Sequence, residues 1–464
     1  MEKKIGDAVN SKPFDRFISS LKQQLTGKNL LLALQHLFAM FGATVLVPLL
    51  TGLNPSVALF TAGIGTLIFH LCTKGKVPVF LGSSFAFIAG IAAVVKPDGI
   101  TVVPENIPYA QGGIIVAGAL YLIFALIVYF VGPDRIKKLF PPVVTGPVIV
   151  VIGLSLATVG INDASGASVG APAGISWLIA AFVIIVVMLC NVVKYKGIWK
   201  LVPILIGMAS GYLLCVILHF SKVFTMDFSP FKTSEWINIP YVTEGFFTLP
   251  KFDLGIILSI APVALVTFME HIGDITTNGT VVGKDFFKDP GLHRTLLGDG
   301  LATSIAGFFG GPANTTYSEN TGVLAATKNY NPAILRMAAV MAIILGLFGK
   351  FGAVLSTIPA PVKGGIEIVL FGMIAAVGIR TLAESDTDMS EFRNILIVAL
   401  IVVLGIGISA IGGITVQFTS DFSMNFSGLF IATVVGVVLN AIIPQVKPKE
   451  AAQNKLTEEK PKAE

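Results

Sequence analysis

Charge is what this sequence has least of. Of 464 residues only 13% are Asp, Glu, Lys or Arg, against 54% hydrophobic, and such a composition does not make a soluble surface. Cysteine is scarce too: Cys72, Cys190 and Cys215 all fall in or beside apolar runs, which excludes a disulfide framework or a cysteine-metal cluster. The five histidines are scattered, so no metal site is expected. No Walker loop, dinucleotide-binding glycine pattern or Ser/His/Asp arrangement is present. An ATP-driven pump and a membrane hydrolase are therefore unsupported, and no cofactor is expected. The net charge of +5 is small and its basic residues lie in short loops and tails, which argues against nucleic acid as a partner. The stretch through Lys28 lacks the apolar core of a signal peptide; the first span is expected to serve as the membrane signal.

What the chain does have is a succession of apolar runs of the roughly 18 residues that a bilayer demands of a spanning helix. They predict about fourteen spans, at 29–50, 55–73, 78–97, 109–131, 141–161, 174–193, 199–220, 254–275, 294–310, 312–329, 332–355, 361–380, 392–413 and 427–445. The ninth and tenth are the weakest, being short and rich in glycine and polar residues. With a cytoplasmic start, the even-numbered loops hold Lys74 and Lys76, Arg135, Lys137 and Lys138, Lys194, Lys196 and Lys200, Lys284, Lys288 and Arg294, Lys328, Arg380 and Arg393. Lys96 and Lys350 are the main exceptions on the other side. The excess of basic residues in one set of loops predicts that both termini are cytoplasmic. The long external connection at about 221–253, with Trp236, is expected to lie at the interface, and the polar tail after Lys447 to be disordered.

Between two of these runs lies Gly310-Gly311-Pro312-Ala313-Asn314-Thr315-Thr316-Tyr317-Ser318-Glu319-Asn320-Thr321-Gly322-Val323. Pro312, the Asn-Thr-Thr run and Gly322 oppose a continuous helix. Unwound backbone is tolerated at membrane depth only where protein or a watery cavity satisfies its amides, and a charged side chain such as Glu319 at the bilayer centre costs at least about 2.5 kcal/mol. Short interrupted segments of this kind point to a transporter's solute site; the alternative is a polar loop outside the membrane that joins two helices. An internal echo bears on the choice. Pro142-Val143-Val144-Thr145-Gly146, opening the fifth span, aligns with Pro361-Val362-Lys363-Gly364-Gly365, opening the twelfth, and at the same offset Gly153 matches Gly372. The third and tenth spans, again seven apart, are both polar and broken, with Gly82-Ser83-Ser84-Phe85-Ala86-Phe87 in one and Thr315-Thr316-Tyr317-Ser318-Glu319-Asn320 in the other. A seven-span repeat reverses orientation in its second copy, so the pattern predicts an inverted repeat with a site near the midplane.

Glu270 and Asp274 lie on the eighth span, and the i, i+4 spacing puts both carboxylates on one helix face. Two acids on one face in a low dielectric repel, which predicts that one of them carries a proton near neutral pH; the alternative is a solvated pair at the cytoplasmic helix end. With Glu319 they make three acids and no span places a Lys or Arg obviously facing them, an arrangement that suits a neutral ligand rich in N–H donors, or a cation. His36, in Leu34-Gln35-His36-Leu37-Phe38-Ala39-Met40, reads either as an interhelical hydrogen bond or as a functional group. His271 points about 100 degrees away from Glu270 on an ideal helix. His293, beside Arg294, is expected to be structural, and His70 and His219 sit near span ends without a motif. Asp299, in Gly298-Asp299-Gly300, suits a cap or a gating contact equally.

At Glu319-Asn320-Thr321-Gly322-Val323-Leu324-Ala325-Ala326-Thr327-Lys328 the chain resembles the signature of the nucleobase-ascorbate transporter family: an acid or amide, Asn, any residue, Gly, four residues, Thr and a basic residue. Leu34-Gln35-His36-Leu37-Phe38-Ala39-Met40-Phe41-Gly42-Ala43-Thr44, Gly82-Ser83-Ser84-Phe85-Ala86-Phe87, Glu270-His271-Ile272-Gly273, Asp289-Pro290-Gly291-Leu292-His293-Arg294 and Asn314-Thr315-Thr316-Tyr317 look like the bacterial uracil permeases of that family. The resemblance covers nearly the whole chain. It implies an all-α polytopic membrane protein of about fourteen spans in two inverted seven-span repeats, with short antiparallel strands in spans 3 and 10. It also implies a cytoplasmic tail at 1–28, a core domain at 29–131 and 254–355, a gate domain at 132–253 and 356–446, and a tail at 447–464. The implied activity is uptake of uracil with protons across the cytoplasmic membrane, by an elevator-like movement of core against gate in a homodimer. Carried over by position, Glu270 and Glu319 would bind the base, Phe85 and Ser318 would contribute backbone amides, and Tyr317 and Phe85 would flank the site. Asp274, with His36 and Glu270, would take part in proton coupling. One departure matters: several uracil permeases have His at the position of Asp274, whereas purine transporters of the family often carry Asp there but tend to have Gln at the position of Glu319. Xanthine or a related purine is the runner-up. An anion exchanger or channel of similar fold would require a basic residue at the broken segments, where this chain has acids.

Overall fold

The computed structural model of the protein describes residues 26–97, 101–167, 172–192, 202–239, 243, 246–419 and 422–444. The C-terminal tail, all but the end of the N-terminal one, and Lys194, Lys196 and Lys200 lie outside them. The chain is a bundle of helices interrupted by four short strands. In the first half these are α1 (Gly27–Thr51), α2 (Pro55–Cys72), β1 (Leu81–Ser83), α3 (Ile88–Val95), α4 (Ile107–Val131), α5 (Pro142–Ser155), α6 (Ala157–Ser165), α7 (Ala173–Val192) and α8 (Pro203–Phe220). The second half holds α9 (Leu254–Ile260), α10 (Ala264–Val282), α11 (Leu292–Phe309), β2 (Asn314–Thr316), α12 (Ser318–Thr327), α13 (Pro332–Leu347), α14 (Gly349–Ser356), α15 (Ala360–Ala383), α16 (Phe392–Ala410), β3 (Ile414–Thr419), β4 (Phe422–Phe426) and α17 (Gly428–Ile442). Proline opens many of them because its missing N–H would have no helical partner there anyway. Asn54 before Pro55 and Asn331 before Pro332 each accept a backbone N–H as the helix begins.

Each of the fourteen expected segments contains helix, and among the described residues nine helical stretches are long and apolar enough to cross a bilayer. The breaks fall where the sequence weakens the helix. The third segment is a strand, a helical turn at Phe85–Phe87 and then α3. The fifth divides after Ser155 and the eleventh at Phe348. The ninth segment corrects the expectation: α11 is an unbroken helix of 18 residues. Its glycines serve close packing instead, since a Cβ added at Gly298 would meet the Phe69 ring at 2.7 Å and one at Gly300 would meet Tyr121 at 2.7 Å. A hairpin of β3 and β4 just before α17 was not anticipated.

Packing follows the sevenfold offset. α4 packs on α11, and α2, the counterpart of α11, packs on α13, the counterpart of α4. In the same way α7 meets α15 while α16 meets α5, and α7 meets α8 while α16 meets α17. Three contacts map onto themselves: α2 against α11, α5 against α15, and β1 against β2. The glycines of the sequence echo differ in role: Gly146 and Gly153 of α5 face α15, whereas Gly364 and Gly365 of α15 face α6 and α7. A Cβ at Gly153 would come within 2.7 Å of the Ala375 amide nitrogen, whereas Gly372 faces open space. Gly153→Ala is therefore expected to destabilise the detergent-solubilised protein by about 1–3 kcal/mol through overpacking. Gly372→Ala is expected to be neutral or to stabilise by up to about 1 kcal/mol through helix propensity; thermal melting of the two variants beside the parent measures both.

Candidate functional site

The site is built where two chain breaks meet. β1 and β2 pair antiparallel with Leu81 opposite Thr316, Gly82 opposite Thr315 and Ser83 opposite Asn314. Ser84 N–H donates to the Ala313 carbonyl at 2.8 Å and Tyr317 N–H to the Phe80 carbonyl at 3.0 Å, extending the ladder at both ends. The ladder is tied into the bundle by side chains: Asn314 Nδ2 donates to the Thr61 carbonyl at 3.1 Å, and Thr303 Oγ1 donates to the Asn314 carbonyl at 2.8 Å. Asn314 through Tyr317 are buried, which overturns the reading of this segment as an external polar loop. Each strand hands over to helix, at Phe85 and at Ser318. The first N–H groups of a helix have no partner within it and carry the positive end of its dipole, so donors flank the ladder on both sides.

α10 runs against β2 and α12. Glu270 and Asp274 share its face and are half-buried, and the helix continues to Val282, so the pair does not sit at a solvated helix end. Thr316 Oγ1 donates to Asp274 Oδ2 at 2.9 Å, joining α10 to the ladder. Glu270 keeps a buried carboxylate oxygen, Oε2, without a hydrogen-bond partner. Acids surround it: Asp274 one turn on, Glu319 in the first turn of α12, and Asp299. Like charges held this close repel, and the cluster is completed by whatever donates hydrogen bonds to it.

Other residues singled out in the sequence take supporting positions. Tyr317 turns toward α1 and β1, its hydroxyl donating to the Ser83 carbonyl at 2.8 Å and accepting from Thr44 Oγ1 at 3.3 Å. Its ring lies over Gly82, where any side chain would collide with it. The Phe85 ring meets Phe371 of α15 edge-on at 6.1 Å. His36 is buried in α1, where Asn320 Nδ2 donates to its carbonyl at 2.9 Å and lies 3.2 Å from its Nδ1; it braces α12 from behind. Ser318 is exposed. Gly273 on α10 and Gly322 on α12 are exposed with empty space where side chains would stand, and Thr277 and Ala326, one turn further along each helix, are exposed too. A cavity of 820 Å³, lined by residues including Asn54, Ser56, Glu235 and Asn238, contains none of the three acids. Chemistry rather than volume therefore locates the site.

One constellation escaped sequence reasoning. His271 Nδ1 is 2.7 Å from Asp299 Oδ2 and its Nε2 is 2.9 Å from Thr295 Oγ1, with the His271 and Asp299 side chains fully buried. Asp299 is thus neither a cap nor a gating contact but the partner of His271. The available signal was that an Asp and a His buried in spanning helices both need a partner. His293 packs on the Tyr129 ring at 5.3 Å, His70 Nε2 lies 2.9 Å from the Val79 carbonyl, and His219 Nδ1 accepts from Met226 N–H at 3.1 Å.

A many-span helical protein with two broken segments and a group of uncompensated acids at their junction is a solute transporter. Solved structures share the fold: the transmembrane domain of the cyanobacterial bicarbonate transporter BicA, with TM-score 0.61 at 16% identity over 83% of this chain and 96% of that one, and the murine anion transporter Slc26a9 in its inward-facing state, with TM-score 0.63 at 12% identity over 92% and 70%. At such identities the likeness is one of fold alone. In sequence the chain is similar to the uracil permease of Bacillus caldolyticus, 42% identical over 429 residues that make up 92% of this chain and 94% of that protein. It is 38% identical over 427 residues to the uracil permease of Escherichia coli K12, covering 90% and 92%. Residues 27–414 match the Permease family of xanthine and uracil permeases, and the chain belongs to this nucleobase-ascorbate transporter family: it is a membrane transporter and not an enzyme.

The His271–Asp299 pair can be tested apart from transport. His271→Leu strands a buried carboxylate and is expected to cost about 3 kcal/mol or more, lowering the melting temperature of the solubilised protein. Adding Asp299→Leu removes the stranded charge and should recover most of the loss.

Proposed function

We propose that the protein takes up uracil across the cytoplasmic membrane together with protons, by alternating access. The observation that carries this reading is the convergence of Glu270 and Glu319, with a buried acceptor left open and no cation among the charges that reach it, on the starts of two interrupted helices. Uracil presents ring N–H donors beside two carbonyls. Carboxylates complement the former and the backbone N–H groups of Phe85 and Ser318 the latter, and charge-assisted hydrogen bonds in a dry pocket discriminate strongly. The similarity to uracil permeases over nine-tenths of the chain supports the same substrate. Phe85 borders the bound base, and Tyr317 holds the ladder that positions both amides. A proton taken up among Asp274 and Glu270 removes one of three like charges, which lowers the cost of moving the loaded site through a low-dielectric surround. Asp274 is held by Thr316, one residue from Tyr317, and His36 braces the acid-bearing helix through Asn320.

The moving parts are a core at 29–131 and 254–355 and a gate at 132–253 and 356–446. In support, α2, α4, α11 and α13 pack among themselves and α5, α7, α15 and α16 among themselves, while the groups meet at few places, such as Phe85 on Phe371 and Gly42 beneath Ile204. Cytoplasmic termini follow from the basic loops, and a homodimer is the assembly that the family resemblance implies. A second reading, uptake of xanthine or a related purine, draws on Asp274, which stands where several uracil permeases have His.

The test is uptake of radiolabelled uracil into proteoliposomes with an imposed inward proton gradient and with unlabelled xanthine, thymine and cytosine as competitors. Uptake is expected to collapse with a protonophore and to be blocked by uracil-like pyrimidines. Glu270→Gln and Glu319→Gln should each lower it by at least about a hundredfold while the protein remains folded in the membrane. Strong competition by xanthine with weak uracil uptake would transfer the assignment to purines, and undiminished uptake by either variant would remove the acids from the binding role.

A further inference from the structure

A second buried group of ionisable side chains lies outside the substrate site, where α6 packs on α15. Two glycines set the distance between these helices. A Cβ added at Gly364 of α15 would come within 2.7 Å of the Asp163 carbonyl carbon, and one added at Gly160 of α6 would lie 3.2 Å from the Glu367 Cβ. Asp163 and Glu367 thus enter one close contact on adjoining turns. Lys363 Nζ lies 3.4 Å from Asp163 Oδ2, and both side chains are largely buried. Glu367, one turn after Lys363, is fully buried, and neither of its carboxylate oxygens has a hydrogen-bond partner. α5, α7 and α8, which also pack on α15, carry no Asp, Glu, Lys or Arg, and His219 stands in the last turn of α8. Lys96, at the end of α3, is a further cation whose field reaches Glu367, and its Nζ donates to the Leu50 carbonyl at 2.7 Å.

Lys363 is committed to Asp163, and a buried carboxylate with no bonded partner costs far more than the neutral acid. We propose that Glu367 is a proton-binding site, separate from the acids at the substrate site, and that it holds its proton in this conformation. Asp163, Lys363 and Glu367 then sum to zero charge as a carboxylate, an ammonium and a neutral carboxyl. Lys363 stands at i, i+4 from Glu367 on one helix face, so the two acids compete for one ammonium and the proton settles which of them has it. Loss of the proton leaves two buried carboxylates sharing one lysine, in a contact that Gly160 and Gly364 keep close. The site bears on transport through α15, since Glu367 is one turn from Phe371, whose ring meets Phe85 at 6.1 Å. A proton exchanged there changes the charge of a helix beside the substrate site without touching the base. The use of this proton in transport rests on the proton-coupled reading above; its presence does not.

Infrared spectra of the purified, substrate-free protein read the carboxyl directly, because a protonated acid has a C=O stretch that a carboxylate lacks. At about pH 7, well above the range of an exposed carboxyl, the parent is expected to show a protonated-carboxyl component that Glu367→Gln removes. That component should persist in Glu270→Gln. Asp163→Asn frees Lys363 for Glu367, so the component should be lost there too although Glu367 is still present. A proton held in the folded protein and released by the unfolded chain makes stability fall as pH rises. The melting temperature of the parent should therefore drop between about pH 6 and about pH 9, and the drop should be shallower in Glu367→Gln. An unchanged carboxyl region in both Glu367→Gln and Asp163→Asn would show Glu367 ionised in the parent and overturn the site. Loss of the component in Glu270→Gln alone would place the proton at the substrate acids and overturn it equally. The spectra need neither substrate nor gradient, so their outcome is separate from that of the uptake assay.

Discussion

The structure depends on two interrupted segments satisfying each other's backbone inside a bilayer-sized bundle. Unpaired amides in hydrocarbon cost several kcal/mol each, so neither β1 nor β2 is tolerable alone. Paired, and tied by Asn314, Thr303 and Tyr317 to the helices around them, they hold open a place where helices can begin in the middle of the membrane. Everything polar at the site follows from that opening. The helix starts at Phe85 and Ser318 present N–H groups, and α10 packs beside β2 and α12.

The same economy of buried polarity recurs in the surround. Most buried polar groups near the site have a partner from a distant segment: His271 with Asp299, Asn278 with the Pro78 carbonyl and Thr321, and Gln111 with Thr248 and the Gly307 carbonyl. Two of them, from Asn278 to the Pro78 carbonyl and from Gln111 to the Gly307 carbonyl, join segments of the two halves of the chain. Among the described residues, the acids Glu270, Asp299 and Glu367 each keep at least one buried carboxylate oxygen unpartnered.

Much of this was legible in the residues, for physical reasons that can be named. Breaking a membrane helix takes Pro, Gly and hydroxylated residues, so Gly82-Ser83-Ser84 and Asn314-Thr315-Thr316 announced themselves, and the i, i+4 spacing placed Glu270 with Asp274. Glycine alone was ambiguous: in α11 the run that looked like an interruption is instead where Phe69 and Tyr121 pack closely. The His271–Asp299 bond was hidden because its partners lie 28 residues apart and periodicity says nothing of distant pairs. The β3–β4 hairpin was lost in what read as a connection between two apolar spans.

The central claim is that Glu270 and Glu319 recognise the base through its ring N–H donors, and calorimetric titration of the purified protein with uracil, 1-methyluracil and 3-methyluracil tests it most directly. Each methyl group removes one donor and leaves both carbonyls in place. Each methylated base is predicted to bind at least about a hundredfold more weakly than uracil. Binding of both as tightly as uracil would mean that the carboxylates do not hold the ring nitrogens, and would contradict the assignment of the site.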